Sequence, residues 1–216
     1  MFLAEPIFLS IQGEWTNTGK PSIFVRFFWC NLCCKWCDSL YAVNNPESVI
    51  DMSIDEICDK IKELKCKNIV FTGWEPALFE EQIAQIMHWL PKTYTYEIET
   101  NGSIALVNNY NQINISPKLS NSWNASYKMI ALENMSFWRE WLGICFKFVA
   151  KGKEDFKEIQ NFIEEYRIPK NFIYIMPEWT DYYSQMNKEV INFCIKNEYK
   201  FCLRQHILLF WNKKWV

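Results

Sequence analysis

The sequence predicts an α/β protein, a partial (open) βα barrel on a compact six-strand core. Three observations predict it. Short β-rich runs alternate with amphipathic stretches of ten or more residues, the pattern of βαβ units and a parallel sheet. The 216 residues, half of them hydrophobic, suit one domain over 1–216 with a sizeable core. About six βα units are too few to close an eight-stranded barrel.

In order, Ile23-Phe24-Val25-Arg26-Phe27 reads as a strand entering a cysteine-rich loop. Residues 53–64 read as a helix, opened by Ser53 and Glu56 three residues on, which can each accept the other's backbone N–H as a capping box. A strand over 68–72 and a helix over 80–90 follow, then strands over 94–100 and 113–116. A strand over 145–149 leads to a helix over 154–166. A strand over 172–176 leads to a helix over 185–197, and a last strand covers 200–203. Ligands in such folds bind beyond the carboxyl ends of the strands. The distinctive short motifs fall there: the cysteine loop, Thr72-Gly73, Glu99-Thr100-Asn101 and Ser116-Pro117-Lys118. No repeat, low-complexity segment or linker interrupts the pattern.

Composition narrows the function classes. A formal net charge of −2 indicates neither disorder nor a nucleic-acid-binding surface. No apolar run reaches the ~18 residues of a membrane span. Met1-Phe2-Leu3 is followed at once by Glu5 and Pro6, so no signal peptide is expected. Nine cysteines, an odd number without an export signal, argue against a disulfide framework and for a reducing, cytoplasmic setting.

The chemistry concentrates in Cys30-Asn31-Leu32-Cys33-Cys34-Lys35-Trp36-Cys37. Cys30, Cys34 and Cys37 have the spacing C-x3-C-x2-C. Three thiolates this close can hold three irons of a [4Fe–4S] cluster and leave the fourth iron open to a small molecule. A zinc site needs four ligands, commonly in two separated pairs, and the next cysteines, Cys58 and Cys66, are isolated. Cys33 offers a second register, C-x2-C-x3-C, with Cys30 and Cys37.

The spacing resembles that of the radical S-adenosylmethionine (SAM) enzymes, and the resemblance favours Cys34 over Cys33. In that family the open iron chelates SAM, and one electron cleaves it to a 5′-deoxyadenosyl radical. Further motifs sharpen the likeness: Ile11-Gln12-Gly13-Glu14, Phe24-Val25-Arg26, Trp36-Cys37-Asp38-Ser39, Thr72-Gly73-Trp74-Glu75-Pro76, Glu99-Thr100-Asn101-Gly102 and Ser116-Pro117-Lys118. Together they resemble the 7-carboxy-7-deazaguanine synthases of the pathway to 7-deazapurines such as queuosine, strongly through residue 118 and thinly after it. The resemblance implies contraction of 6-carboxy-5,6,7,8-tetrahydropterin to 7-carboxy-7-deazaguanine with loss of ammonia. It also implies Mg²⁺, a homodimer, and an electron donor such as flavodoxin or ferredoxin.

The same resemblance distributes the roles. Trp36, Cys37 and Asp38 fall where SAM is held, as do Trp74, Ser116, Pro117 and Lys118. Ser39 matches a Mg²⁺-contacting position, and a hydroxyl suits that oxygen-seeking ion. Ile11, Gln12, Gly13 and Thr72 match substrate contacts, and Arg26 can grip the substrate carboxylate with two parallel hydrogen bonds. Glu75 reads equally as a charge partner near SAM or as a structural residue. Met176-Pro177-Glu178 falls near the ribose, and His206 where the family carries a C-terminal histidine.

The departures share one character. Trp15, Trp29, Trp74 and Trp179 stand where the family usually has glycine, and Trp211 and Trp215 suggest the same. The chain holds six glycines and eleven tryptophans. Reading ten of those tryptophans as glycine would bring glycine to sixteen, near the usual ~7%. A gene that uses UGA for glycine, translated with UGA as tryptophan, accounts for both facts. A divergent or catalytically impaired paralogue, still binding an iron–sulfur cluster, is the alternative. Two other functions share the cysteine spacing: a radical SAM activase acting on a partner protein, and an iron–sulfur or zinc module used in binding.

Overall fold

The parallel strands of the sheet are buried on both faces, yet those over Thr95–Thr100 and Gln112–Ile115 alternate apolar with polar residues, so one face is core and the other carries polar groups. The computed structural model describes residues 1–37, 49–124, 127–132, 143–178 and 183–210. Within them ten strands form one sheet: β1 (Phe2–Leu3), β2 (Phe8–Ile11), β3 (Pro21–Phe27), β4 (Ile50–Asp51), β5 (Asn68–Gly73), β6 (Thr95–Thr100), β7 (Gln112–Ile115), β8 (Ile144–Ala150), β9 (Ile173–Pro177) and β10 (Lys200–Phe201). The order is β10-β9-β8-β7-β6-β5-β3-β1-β4, with β2 also on β3. From β3 to β10 every pairing is parallel. β1, β2 and β4 add an antiparallel margin. The sheet stays open, as expected. Six of the parallel strands have four or more residues, and β10 has two.

Alternation along the strands separates two faces. Ile23, Val25 and Phe27 of β3, Tyr96 and Ile98 of β6, and Phe146 and Phe148 of β8 enter the main core. There they meet α1 (Ile54–Glu63) and α2 (Glu80–Trp89) through Ile57, Ile61, Ile83 and Ile86, all fully buried. Burying each such side chain contributes about 1.5–3 kcal/mol. The opposite face carries Phe24, Arg26, Glu97, Glu99, Asn114, Cys145, Lys147 and Val149. It is the face of the functional site.

Most elements match the sequence reading to within a residue or two, the range over which helix ends fray. Ser53 caps α1 with both halves of the capping box present. α3 (Lys153–Tyr166) follows β8. The helix expected over 185–197 is α4 (Lys188–Asn197) and starts later, because Asn187 caps it by accepting the N–H groups of Glu189 and Val190. A 3-10 turn over Tyr183–Met186 precedes it. Not foreseen were β1, β2, β4 and the closing helix α5 (Gln205–Phe210).

Candidate active site

A cavity of about 590 Å³ opens at the carboxyl ends of the parallel strands. The expected substrate residues Ile11, Gln12, Gly13, Arg26 and Thr72 line it, as do Cys30, Cys34, Cys37, Trp36, Trp74, Ser116 and Lys118. Pro117 is buried but is not part of its wall. Asp38, Ser39, Trp179, Trp211 and Trp215 lie outside the described residues.

The cysteine loop leaves β3 and crosses the cavity mouth. Cys34 is buried, Cys30 and Cys37 are half-buried, and Cys33 is exposed. None of the nine cysteines is joined in a disulfide. Burial pushes the Cys30 thiol up to about 11, so iron must displace a proton there. Among the described residues no three His, Cys, Asp or Glu side chains close on a single ion position. Cys33 lines the same cavity, so four cysteines border it, and thiols gathered there suit a cluster that takes one cysteine per iron.

Behind the loop lies a network of buried carboxylates. Gln12 donates to Glu97 Oε1 and Glu99 Oε1, each at 2.9 Å, and its own oxygen accepts the Glu14 N–H at 3.2 Å. Its amide therefore fastens the cavity wall. Asn17 and Asn114 also donate to Glu97. Thr72 Oγ1 donates to Glu99 Oε2 at 2.7 Å. Burial raises the Glu99 pKa, and the Glu14 and Glu97 charges add to that rise. Glu99 lines the cavity, yet as a site residue it was missed. The available signal was Glu97 and Glu99 two apart in a central strand, which places two charges on one buried face.

Glu14 pairs with Lys147 and, at 3.2 Å, with Arg204 Nε. Burial pushes the Glu14 pKa up, but these two cations override it and hold it near 2. Arg26 donates from Nε to Glu5 Oε2 at 3.1 Å, which fixes the roll of its guanidinium at the cavity wall. Lys118 Nζ donates to Ser116 Oγ at 2.8 Å and lies 5.2 Å from the Trp36 ring. Burial lowers the Lys118 pKa, and the nearby Cys34 thiol opposes that shift.

Glu75 is structural. It is fully buried, caps the 3-10 turn over Pro76–Phe79, and accepts from Thr100 Oγ1 and the Asn101 N–H, both at 2.6 Å. Met176 lines the cavity. His206 of α5 also lines it and packs on Gly13, where a Cβ would lie 2.2 Å from its Nδ1. The Gln205 N–H donates to the Gly13 carbonyl at 2.7 Å.

Two of the suspect tryptophans take positive φ: Trp15 at 65° and Trp29 at 124°. A third tryptophan, Trp123, sits at 66°. Trp74 does not. The positive φ in its motif belongs to Gly73, at 140°, where a Cβ would stand 2.4 Å from the Phe27 carbonyl oxygen. Trp74 lies edge-on to Phe28 at 4.9 Å between ring centres.

Comparison with known proteins agrees with this geometry. A family model described as "Radical SAM superfamily" matches residues 24–190. A 7-carboxy-7-deazaguanine synthase of Clostridium acetobutylicum is 34% identical over 179 residues, 79% of this chain and 78% of its own. One from Pyrobaculum aerophilum is 27% identical over 217 residues, covering 96% and 94%. The crystal structure of QueE from Escherichia coli superimposes with a TM-score of 0.71 at 20% identity, covering 95% of this chain and 94% of that one, which shows the shared fold. A superfamily match over most of the chain and relatives of this identity and coverage place the chain in the radical SAM superfamily, within the family of 7-carboxy-7-deazaguanine synthases.

Proposed function

We propose that this enzyme converts 6-carboxy-5,6,7,8-tetrahydropterin to 7-carboxy-7-deazaguanine, releasing ammonia, on the pathway to 7-deazapurines. The observation that carries the reading is one cavity with Cys30, Cys34 and Cys37 at its mouth and the Glu99–Thr72–Gln12 network with Arg26 in its wall. When bound, the cluster held by the three cysteines and its SAM supply the radical that takes a hydrogen atom from the substrate. Arg26, steadied by Glu5, binds the substrate carboxylate. Glu99, held by Thr72 and Gln12, accepts hydrogen bonds from a pterin N–H edge. Lys118 and Ser116 contact SAM oxygens beside Trp36. Ser39 supplies an oxygen to Mg²⁺, a flavodoxin or ferredoxin delivers the electron, and the protein works as a homodimer.

No helix among the described residues is long and apolar enough to cross a membrane. Anaerobic reconstitution with iron, sulfide, SAM and dithionite, followed by addition of carboxytetrahydropterin, tests the proposal. Product that depends on SAM is expected. Deoxyadenosine without product would point to another substrate, such as a partner protein. No deoxyadenosine under any condition would favour the binding module. Trp74 occupies a SAM-contacting position and is predicted to slow SAM cleavage, so W74G should raise deoxyadenosine output. Equal output from both proteins would refute the obstruction.

A further inference from the structure

The segment after β7 grips the cysteine loop. The Lys35 N–H donates to the Ser122 carbonyl at 3.2 Å, the Trp36 indole N–H to Asn121 Oδ1 at 3.1 Å, and the Cys33 N–H to Asn124 Oδ1 at 3.2 Å. The last bond fixes which way the Asn124 amide faces. A backbone N–H only donates, so the amide oxygen must meet it. The amide nitrogen then faces Cys34 Sγ at 3.2 Å, with Ser122 O and Oγ at 3.2 and 3.1 Å on its other side. Ser122 is itself fully buried and donates to the Leu119 carbonyl at 2.7 Å. The two N–H bonds of the amide are therefore shared among three acceptors, Cys34 Sγ, Ser122 O and Ser122 Oγ.

The geometry points to Asn124 as a positioning residue that sets the reduction potential of the iron–sulfur cluster by donating to the Cys34 sulfur. This rests on Cys34 being a cluster ligand, as proposed above. Hydrogen bonds to cluster sulfurs are among the factors that fix its potential. A donor stabilises the extra negative charge of the reduced cluster and so eases reduction, the step that must precede SAM cleavage. Asn101 provides an internal comparison. Its Nδ2 lies farther from a cluster thiol, 3.8 Å from Cys30 Sγ, and also donates to Asn31 Oδ1 at 3.0 Å.

The test uses the reconstituted full-length protein and its N124D, N124A and N101A variants, with iron content and an EPR-monitored redox titration as readouts. N124D keeps the acceptor for the Cys33 N–H while losing the donor to sulfur. At the potential that half-reduces the wild-type cluster, N124D and N124A should show a reduced-to-oxidised ratio at least tenfold lower, a 59 mV shift for one electron. N101A should show a smaller change. A fully loaded N124D or N124A cluster with the wild-type midpoint would overturn the assignment. If both variants lose iron, pulsed EPR on wild-type protein carrying side-chain ¹⁵N-asparagine decides. A nitrogen coupling that survives in N101A supports the inference, and its absence refutes it. A wild-type chain that takes up no cluster would instead sink the cysteine assignment, and this role with it.

A separate observation concerns the tryptophans. Trp29 at φ 124° occupies a region populated essentially by glycine. Trp15 and Trp123 lie in the left-handed region that glycine enters without steric cost. The Trp15 indole N–H is buried without a hydrogen-bond partner. Lys65, Arg167 and Glu198 at helix ends also reach φ of 51°, 53° and 59°, but Trp29 at 124° lies well beyond them, and Trp123 adds a position to those that composition suggested. We infer that positions 15, 29 and 123 are glycine in the working enzyme, encoded by UGA in an organism that reads it so. Sequencing the coding DNA tests this. UGA at positions 15, 29 and 123 with UGG at 36 is expected, and UGG at 15 and 29 would overturn it.

Discussion

At the scale of single residues, backbone conformation and side-chain identity conflict most sharply at Trp29. Its side chain is largely exposed and its φ is 124°, so the strained backbone has little packing to offset it. W29G is expected to stabilise the fold by about 1–3 kcal/mol, the usual cost of such a conformation for a residue with a Cβ. A rise in the urea midpoint at unchanged slope would show it, and an unchanged midpoint would refute the strain argument. Motif residues were legible in the sequence where one side chain faces one ligand. Gln12 was legible as a cavity residue but not in its partners, because its hydrogen bonds reach Glu97 and Glu99 some 85 and 87 residues away. Glu75 was readable either way in sequence, and only its enclosure by Ala77, Thr100 and Asn101 makes it structural.

At the scale of elements, β5, β8 and β9 were legible as nearly continuous apolar runs, and β6 and β7 by their alternation of apolar and polar residues. The margin was not: β1 and β4 have two residues each, too few to show alternation, and they take their place by pairing, β1 on β3 and β4 on β1. α5, six residues long, takes its place through contact with Gly13 rather than through its own periodicity. α1 was legible by its cap, and S53A should cost about 0.5–2 kcal/mol in denaturant unfolding. The β2–β3 loop is tied to β8 by the buried pair of Glu14 and Lys147. Removing Lys147 leaves the buried Glu14 carboxylate with Arg204 as its remaining ion-pair partner, so K147A should destabilise the fold by less than the ~3–5 kcal/mol of a fully stranded charge. The folded Glu14 pKa, near 2, lies below the unfolded 4.5. Its ionised form therefore stabilises the fold above pH 4.5, and that contribution fades as pH falls from 4.5 towards 2. Urea midpoints at pH 6 and pH 3 should differ more in the wild type than in E14Q. Equal slopes in both proteins would remove Glu14 from the account of acid sensitivity.

At the scale of the molecule, sequence reasoning reached the open α/β architecture and the cysteine loop. It did not reach the way one sheet face gathers a polar network while the other becomes core. That division depends on which residues share a face across six parallel strands, and single-strand patterns do not reveal it. The register of the cluster ligands can be checked on the whole protein. C30A, C34A and C37A should each lose iron and the visible absorbance of the cluster, whereas C33A, altering the exposed cysteine, should keep both. Iron loss in C33A with retention in C34A would reverse the register. The cavity is also closed by the two ends of the chain: Arg204 on Glu14, the Gln205 N–H on Gly13, and the Trp15 N–H on Cys202 Sγ at 3.5 Å. These contacts span almost the whole sequence, the most costly separation to bridge in folding. A nascent chain can pair β1 to β8 before Arg204 and His206 have been synthesised, so the wall they contribute is added to a sheet that can already stand. The pocket wall is thus completed after the strands that carry it.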